Sequence, residues 1–245
     1  MRLKFFALAA LTGLAACNDK PANTTATAAA TTATAAAAPG GKDWTQVTAA
    51  TPEGGFRIGN PDAAVKLVEY ASFTCPHCKD FHEEAAATLR SKYVAGGKVS
   101  YEFRNFVFNA PDYAASLLAR CETPQAFFNL TNAFFQTQAQ WLEPFTKIGE
   151  AEQKRLQALP QDQLIAALAK SGGLDAFMRA RGMTAAKFEQ CLGNTADIKR
   201  LAAMRDEATG KLGVTGTPSF FINGKLQEAT PNWATLEPKL QSALS

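Results

Sequence analysis

The sequence predicts an α/β protein in which a mixed sheet is flanked by helices and carries a helical insertion. An apolar run at Val65–Tyr70 precedes Lys79–Lys92, where apolar residues recur at helical spacing, and a second apolar run follows at Val99–Phe103. In a unit of strand, helix and parallel strand, the crossover connection is right-handed. Residues 111–193 show helical spacing broken by prolines and glycines, and Ser219–Ile222 forms a short apolar strand after them.

The remaining elements lie at the two ends of the chain. Trp44–Ile58 predicts an edge strand that contains a Pro and Gly turn. Thr195–Lys211 and Asn232–Leu244 show helical patterns. Asn223-Gly224 predicts a type I′ hairpin directly after the last long strand.

Two phenylalanine pairs, Phe127-Phe128 and Phe134-Phe135, lie at helical spacing within the predicted insertion. Aromatic pairs with this spacing are typical of a hydrophobic core. A peptide-binding surface is the alternative interpretation.

The motif Cys75-Pro76-His77-Cys78 lies where the central strand ends and the following helix begins. Free N–H groups and the helix dipole stabilise a thiolate at that position, and they lower the pKa of the first cysteine of a CxxC motif. Pro76 suits a first helical turn, and His77 adds a polar, partly positive neighbour that favours the Cys75 thiolate. Cys78 lies one turn further on and can close a disulfide with Cys75. The motif therefore predicts thiol redox chemistry.

Other roles of this motif are disfavoured. Covalent haem attachment needs a histidine after the second cysteine, but Lys79 follows Cys78. A zinc site needs a second ligand pair, and the residues that remain for it, His82, Cys121 and Cys191, form no second CxxC. We therefore expect neither a metal nor a cofactor. A purely structural disulfide within the motif would close too small a loop to stabilise a fold much.

Two stretches resemble the DsbA-type thiol:disulfide oxidoreductases, a branch of the thioredoxin fold. They are Leu67–Phe81, which contains the CxxC motif, and Val214–Lys225, which contains Thr217-Pro218. The similarity extends from about Asn60 to the C terminus. The resemblance implies a thioredoxin fold with a helical insertion at about 111–193, in a domain that spans 42–245.

The resemblance also implies roles for residues outside the CxxC motif. Glu69, six residues before Cys75, is expected beneath the disulfide, where it helps to move the proton of Cys78. An exposed sheet edge is the other place where a carboxylate fits a mostly apolar strand. A cis Thr217-Pro218 bond is expected opposite the motif, with neighbouring backbone groups free to pair with a substrate strand.

The activity that follows is disulfide donation to exported proteins. A substrate thiolate attacks the Cys75–Cys78 disulfide, a second substrate thiol resolves the mixed disulfide, and Cys75 leaves as a thiolate. The resemblance implies that a DsbB-type membrane protein re-oxidises the enzyme. A reductase or isomerase is the first alternative, because Thr217 replaces the valine of the best-studied DsbA branch. A lipid-anchored chaperone or binding module without exchange activity is the second.

The N terminus reads as an export signal. Residues 1–16 combine a short basic start with an apolar stretch too short to span a bilayer. Leu14-Ala15-Ala16-Cys17 resembles the lipobox of bacterial lipoproteins, which implies lipidation of Cys17; an ordinary signal peptide is the alternative. Residues 17–41 are rich in alanine and threonine and predict a tether. We expect a periplasmic protein held at a membrane by its lipid, without specifying the inner or the outer membrane.

The five cysteines and the small net charge of +3 give information on the redox compartment and on possible partners. Without Cys17 four cysteines remain, an even number that suits an oxidising compartment. A bridge between Cys121 and Cys191 would close a loop of about 70 residues, worth about 4 kcal/mol by chain entropy. We expect that bridge to be structural, with a second redox pair as the alternative. The sequence shows no cluster of basic residues, so nothing in it indicates nucleic-acid binding. We expect a monomer.

Overall fold

The structure, a computed structural model, describes residues 37–41 and 43–245. The predicted signal peptide, Cys17 and most of the predicted tether lie outside the described residues. Of the last tether residues, Ala38 is buried and Pro39–Gly41 forms a 3-10 turn. Within the described ranges no helix is both long and apolar enough to cross a membrane.

A six-stranded mixed sheet lies at the centre of the fold. Its strand order is β1-β2-β4-β3-β5-β6, with β3 and β4 parallel and every other pair antiparallel. The strands are β1 Thr48–Ala50, β2 Phe56–Ile58, β3 Val65–Ala71, β4 Val99–Asn105, β5 Ser219–Ile222 and β6 Lys225–Leu226. The predicted α/β class and mixed sheet are confirmed.

The segment Trp44–Ile58, predicted as an edge strand with a Pro and Gly turn, contains that turn and forms two short strands. That segment forms a 3-10 helix at Trp44–Gln46 and then the antiparallel hairpin of β1 and β2. Gly54 adopts a φ of 95° in the connecting turn, a conformation that glycine allows, and its N–H bonds to the carbonyl of Thr51. The turn therefore reverses the chain and divides one expected strand into two.

Helix α1, Pro76–Thr88, begins within the CxxC motif and continues as a π-helical segment, Leu89–Val94. The predicted helix, Lys79–Lys92, begins three residues later, because its apolar repeat starts only after the motif. Pro76 occupies the first turn, where its missing N–H breaks no intrahelical bond. The helix therefore begins directly after the first cysteine, Cys75, which is its N-cap residue.

Seven helices fill the region between β4 and the last helix before β5. They are α2 Ala110–Arg120, α3 Pro124–Gln136, α4 Gln138–Thr146, α5 Glu150–Gln157, α6 Gln161–Ser171, α7 Leu174–Arg179 and α8 Ala185–Leu192. Helix α9, Thr195–Gly210, leads to β5, and α10, Trp233–Ala243, ends the fold. Asn223 and Gly224 both have positive φ, as the predicted type I′ hairpin requires.

The core joins the sheet to the insertion through aromatic side chains. Phe127, Phe128, Phe134 and Phe135 are at most 4% exposed, which confirms their predicted core position. Phe73, just before the CxxC motif, packs between them and the sheet: its ring lies 5.1 Å from that of Phe134. The chain that leads into the motif is thereby anchored in the core.

Candidate active site

The two cysteines of the motif lie at different depths. Cys75 is the N-cap residue of α1 and is partly exposed, whereas Cys78, three residues along the helix, is fully buried. Neither is bonded to the other, so the structure describes the dithiol form. Of these two thiols, only that of Cys75 is accessible from the surface.

The surroundings of Cys75 favour its thiolate. The pKa falls from 9.0 to about 5, chiefly because the Cys78 thiol donates a hydrogen bond to it. Partial burial opposes this shift, while the Thr217 side chain and the N–H groups of Cys78 and His77 add to it. Cys75 is therefore almost wholly ionised at pH 7.

The surroundings of Cys78 have the opposite effect. Burial raises the pKa of Cys78 well above 9.0, and its bond to Cys75 and the negative charge of Glu69 raise it further. Cys78 therefore keeps its proton at neutral pH. A proton must reach or leave this buried sulfur whenever the Cys75–Cys78 disulfide breaks or forms.

His77 and Pro76 of the motif act through the backbone. The His77 residue is exposed, and its effect on the pKa of Cys75 comes from its N–H group. Pro76 leaves the first helical turn intact.

The Thr217-Pro218 loop lies against Cys75 although 142 residues separate it from the motif. The peptide bond is cis, as expected from the resemblance. The Cys75 Sγ lies 3.3 Å from the Thr217 carbonyl oxygen, to which the protonated thiol donates. An open groove lined by Gly216, Pro218 and Gln227 runs beside the loop.

Glu69 lies in the interior of the sheet, not at an edge. It pairs with Phe103 of β4 on one side and with Phe220 of β5 on the other, and it is fully buried. Tyr101 donates a hydrogen bond of 2.5 Å to Glu69 Oε2, and His82 Nε2 lies 3.3 Å from the same oxygen. Burial and the charge of Glu69 raise the pKa of Tyr101 well above its usual range, so the phenol remains a donor.

No sequence pattern points to Tyr101, and His82 stands out in the sequence only as a possible metal ligand. A period of four from Cys78 to His82 was the one available signal, because residues four apart share a helix face. Nothing local marks Tyr101, which reaches Glu69 diagonally across two paired strands. No three His, Cys, Asp or Glu side chains within 37–41 and 43–245 converge as a metal site would require.

Asp112, also missed, holds the loop before the CxxC motif. Its buried carboxylate accepts hydrogen bonds from the Ser72 hydroxyl at 2.6 Å, from the Phe73 N–H at 3.0 Å and from the Phe108 N–H at 3.1 Å. Burial raises the pKa of Asp112 to about 7, although these donors oppose the shift. Asp112 reads in sequence only as an acidic residue in the first turn of α2.

Gln138, at the start of α4, holds the same loop from the other side. Its buried Nε2 donates to the carbonyls of Phe73 and Cys75, both at 2.9 Å. No sequence signal distinguishes it from neighbouring glutamines such as Gln136 and Gln140. The insertion thus helps to position Cys75.

The remaining two cysteines are bonded to each other. The Cys121–Cys191 disulfide links the C-terminal end of α2 to α8 across a sequence separation of 70 residues. Cys191 is fully buried and Cys121 is partly exposed.

Comparison with known proteins identifies the family. Residues 51–242 match the family model described as Thioredoxin. The chain belongs to the thioredoxin family. A solved structure of a protein-disulfide isomerase from Novosphingobium aromaticivorans is 40% identical to this thioredoxin-family chain, with a TM-score of 0.73, and the match covers 77% of this chain and 96% of that one.

Two further relatives are more distant. Alpha-DsbA1 of Wolbachia pipientis shares the fold, with a TM-score of 0.60 and 23% identity over 77% of this chain and 89% of that one. A protein of Rickettsia typhi, which carries the provisional name protein-disulfide oxidoreductase, is 29% identical over 181 residues, or 74% of this chain. The match covers 58% of the rickettsial protein, so this thioredoxin-family chain spans less than two thirds of that relative's length. The predicted thioredoxin fold with a DsbA-type helical insertion is confirmed.

Proposed function

We propose that the protein is a disulfide oxidoreductase that transfers the Cys75–Cys78 disulfide to reduced proteins exported from the cytoplasm. The observation that carries this proposal is the unlike placement of the two thiols. Cys75 is partly exposed at a helix N-terminus beside the Thr217-Pro218 loop, and Cys78 is fully buried behind it. This arrangement suits one sulfur that meets substrates and one that resolves.

The direction of transfer follows from the stability of the reduced form. A pKa of about 5 means that reduction of the disulfide produces a stabilised Cys75 thiolate at neutral pH. A disulfide whose reduced form is stabilised is the stronger oxidant. The same low pKa makes Cys75 the better leaving group when a second substrate thiol attacks the mixed disulfide.

The neighbouring groups have supporting roles in this proposal. Glu69 exchanges a proton with Cys78, which its buried position beneath the helix and its effect on the pKa of Cys78 both support. The backbone of the Thr217-Pro218 loop pairs with the substrate strand next to its cysteine. The Cys121–Cys191 disulfide is structural, because neither cysteine starts a helix after a strand.

Disulfide reduction or isomerisation in the same site is the second candidate. Thr217 before the proline favours it, and the 40% identical Novosphingobium protein is named an isomerase. An isomerase must attack existing disulfides from the dithiol form, which requires the Cys75 thiolate to persist reduced. The two candidates therefore differ in redox potential and not in geometry.

The deciding experiment is the equilibrium potential of the Cys75 and Cys78 pair against glutathione, with Cys121 and Cys191 followed by mass. A potential well above about −200 mV supports donation, whereas a value near −270 mV, that of thioredoxin, supports a reductase. Catalysis is then compared on reduced ribonuclease and on ribonuclease with scrambled disulfides. Donation predicts that the protein oxidises reduced ribonuclease faster than it rearranges the scrambled disulfides.

A matched variant separates exchange from chaperone activity. Cys75→Ser removes the attacking sulfur with the smallest change in volume, and the proposed exchange must then fall to background. If Cys75→Ser keeps the full effect of the wild-type protein on substrate folding, this result would contradict both exchange candidates. It would favour the binding-module alternative.

We also propose export and lipid anchoring from the sequence of residues 1–17. A lipid on Cys17 would hold the domain near a DsbB-type membrane oxidant that re-oxidises Cys75 and Cys78. Cys17→Ser is expected to shift the protein from the detergent phase to the aqueous phase in a detergent partition assay. Unchanged partitioning would contradict the anchor, but not the exchange chemistry.

A further inference from the structure

His82 connects the buried acid beneath the CxxC motif with the opposite side of the helix. It lies four residues after Cys78 on α1, so the two side chains share a face. Its Nε2 is 3.3 Å from Glu69 Oε2 and 3.5 Å from the Tyr101 hydroxyl. The His82 side chain is 9% exposed, whereas Glu69 is fully buried, so the imidazole is the partner of Glu69 that reaches towards solvent.

Aromatic contacts hold the imidazole ring in one orientation. The ring stacks on Phe135 with the centroids 4.2 Å apart and an interplanar angle of 25°. Phe81 and Phe103 meet the ring edge to face at 5.8 Å and 5.9 Å. The contact between Nε2 and Glu69 is therefore built into the packing.

Each side of this contact has a polar atom to spare. His82 Nδ1 and Glu69 Oε1 are both buried, and neither has a hydrogen-bond partner among the residues that the structure describes. The imidazole also lines a cavity of about 370 Å³, together with Arg90, Asn132 and Gln136. A polar cavity of this size has room for several water molecules.

The ionisable groups around the ring come from three elements. Helix α3 contributes only uncharged side chains, Asn132, Phe135 and Gln136. The groups that can change charge are Glu69 from β3, Tyr101 from β4, and Cys78, Glu83 and Arg90 from α1 and its π-helical continuation.

We propose that His82 carries protons between this cavity and Glu69, and thereby supplies and removes the proton of the Cys78 thiol. The inference rests on the proposed exchange function. The imidazole suits the role because it can accept a proton on one nitrogen while it releases another from the second. Cys78 has no exposed surface of its own through which water could exchange that proton.

The proton movements balance in the direction of disulfide donation. A substrate thiolate forms a bond to Cys75 Sγ, the bond between Cys75 and Cys78 breaks, and its electron pair stays on Cys78. Glu69 takes a proton from His82 Nε2 and passes it to Cys78. Water in the cavity then restores the proton of the imidazole. Re-oxidation of the dithiol reverses each transfer.

Reaction of the reduced full-length protein with oxidised glutathione isolates the proton-dependent step. Cys75 first attacks glutathione and forms a mixed disulfide, a step in which Cys78 keeps its proton. Cys78 must then lose that proton to release the second glutathione. Rapid acid quenching with mass analysis measures the two rates separately between pH 5 and pH 9.

The variant His82→Gln keeps an N–H donor for Glu69 but cannot pass a proton through its side chain. We expect the second step to slow by about 10- to 100-fold and its pH profile to change, with the first step within about twofold of wild type. Glu84→Gln, an exposed change on the same helix, is the control and should leave both rates unchanged. A second step within twofold of wild type in His82→Gln, or an equal loss in both steps, would overturn the inference.

Chemical rescue separates proton transfer from packing. In His82→Ala the space left by the ring adjoins the cavity, so added imidazole should restore at least a tenth of the lost rate of the second step. Pyrrole has the same size and cannot carry a proton in this pH range, so it should restore none. Equal rescue by both compounds would overturn the inference. A wild-type protein that does not react with oxidised glutathione at all would overturn the exchange function and this inference together.

Discussion

At the scale of single residues, burial and one hydrogen bond give two identical side chains opposite acidities. Cys75 is partly exposed and surrounded by donors, so the pKa of its thiol falls to about 5. Cys78 is fully buried beside Cys75 and Glu69, so the pKa of its thiol rises well above 9.0. In the proposed exchange, this difference favours Cys75 as the attacking thiolate.

The largest contribution to the Cys75 shift can be removed without touching Cys75. Cys78→Ala deletes the donor, and we expect the pKa of Cys75 to rise from about 5 by about 1 to 2 units, the value of a hydrogen bond to a charged group. Cys78→Ser keeps an O–H donor, so in this variant the pKa of Cys75 should rise less. Thiolate absorbance at 240 nm measures both variants, and equal shifts in the two would contradict the assigned cause.

The low pKa of Cys75 also makes the stability of the reduced protein depend on pH. The pKa of Cys75 falls from 9.0 in the unfolded chain to about 5 in the fold. The contribution of the Cys75 thiolate to the free energy of unfolding is therefore fully present above about pH 9, and it is lost as the pH falls through 5. We expect the free energy of unfolding of the reduced form to rise relative to the oxidised form between pH 5 and pH 9. Urea titrations of both forms test this, since groups common to both forms cancel. A difference that is independent of pH would contradict it.

At the scale of elements, the loop between β3 and α1 is held by helices that follow it in the chain. Asp112 of α2 accepts from the hydroxyl of Ser72 and the N–H of Phe73, and Gln138 of α4 donates to the carbonyls of Phe73 and Cys75. Phe73 itself is buried in the aromatic core. The insertion is therefore part of the active-site framework and not an appendage to it.

Gln138→Ala should loosen this loop. It removes the Gln138 side-chain donor from the carbonyls of Phe73 and Cys75, of which the Cys75 carbonyl keeps the N–H of Lys79. We expect this loss to cost about 1 to 3 kcal/mol of unfolding free energy. Gln140→Ala, an exposed change on the same helix, is the matched control and should cost less than about 0.5 kcal/mol. Denaturant unfolding measures both, and equal effects would show that the two hydrogen bonds add nothing.

At the scale of the whole molecule, the disulfide ties the insertion together at the end of α2 that is remote from Asp112. Cys121 closes α2, whose first turn contains Asp112, and Cys191 lies near the end of α8. The bridge therefore restrains a helix that also holds the active-site loop.

Replacing Cys121 and Cys191 together by alanine should lower the unfolding free energy by about 4 kcal/mol, the chain-entropy value for a loop of 70 residues. Thiol exchange through Cys75 and Cys78 should persist below the new melting temperature. Chemical denaturation and the glutathione reaction test the two statements. Loss of exchange in a folded double variant would instead favour a redox role for the second pair.

Sequence alone determined the features that depend on neighbouring residues. The strand, helix and strand order, the site of thiol chemistry and the type I′ hairpin follow from apolar spacing, from a CxxC motif at a strand end and from Asn-Gly. Each of these depends on contacts within one or two turns of chain. In Trp44–Ile58 the predicted glycine turn is present, and it separates the edge strand β1 from its antiparallel neighbour β2.

Only the tertiary structure decided which side chains surround the motif. Tyr101 reaches Glu69 from 32 residues away through the pairing of β3 with β4, and Gln138 reaches Phe73 from 65 residues away through the packing of the insertion. His82 contacts Glu69 on one side and lines a cavity on the other, and the role that we propose for it depends on both. Such contacts leave no periodic trace in the sequence, because strand register and helix packing, not local propensity, bring the atoms together.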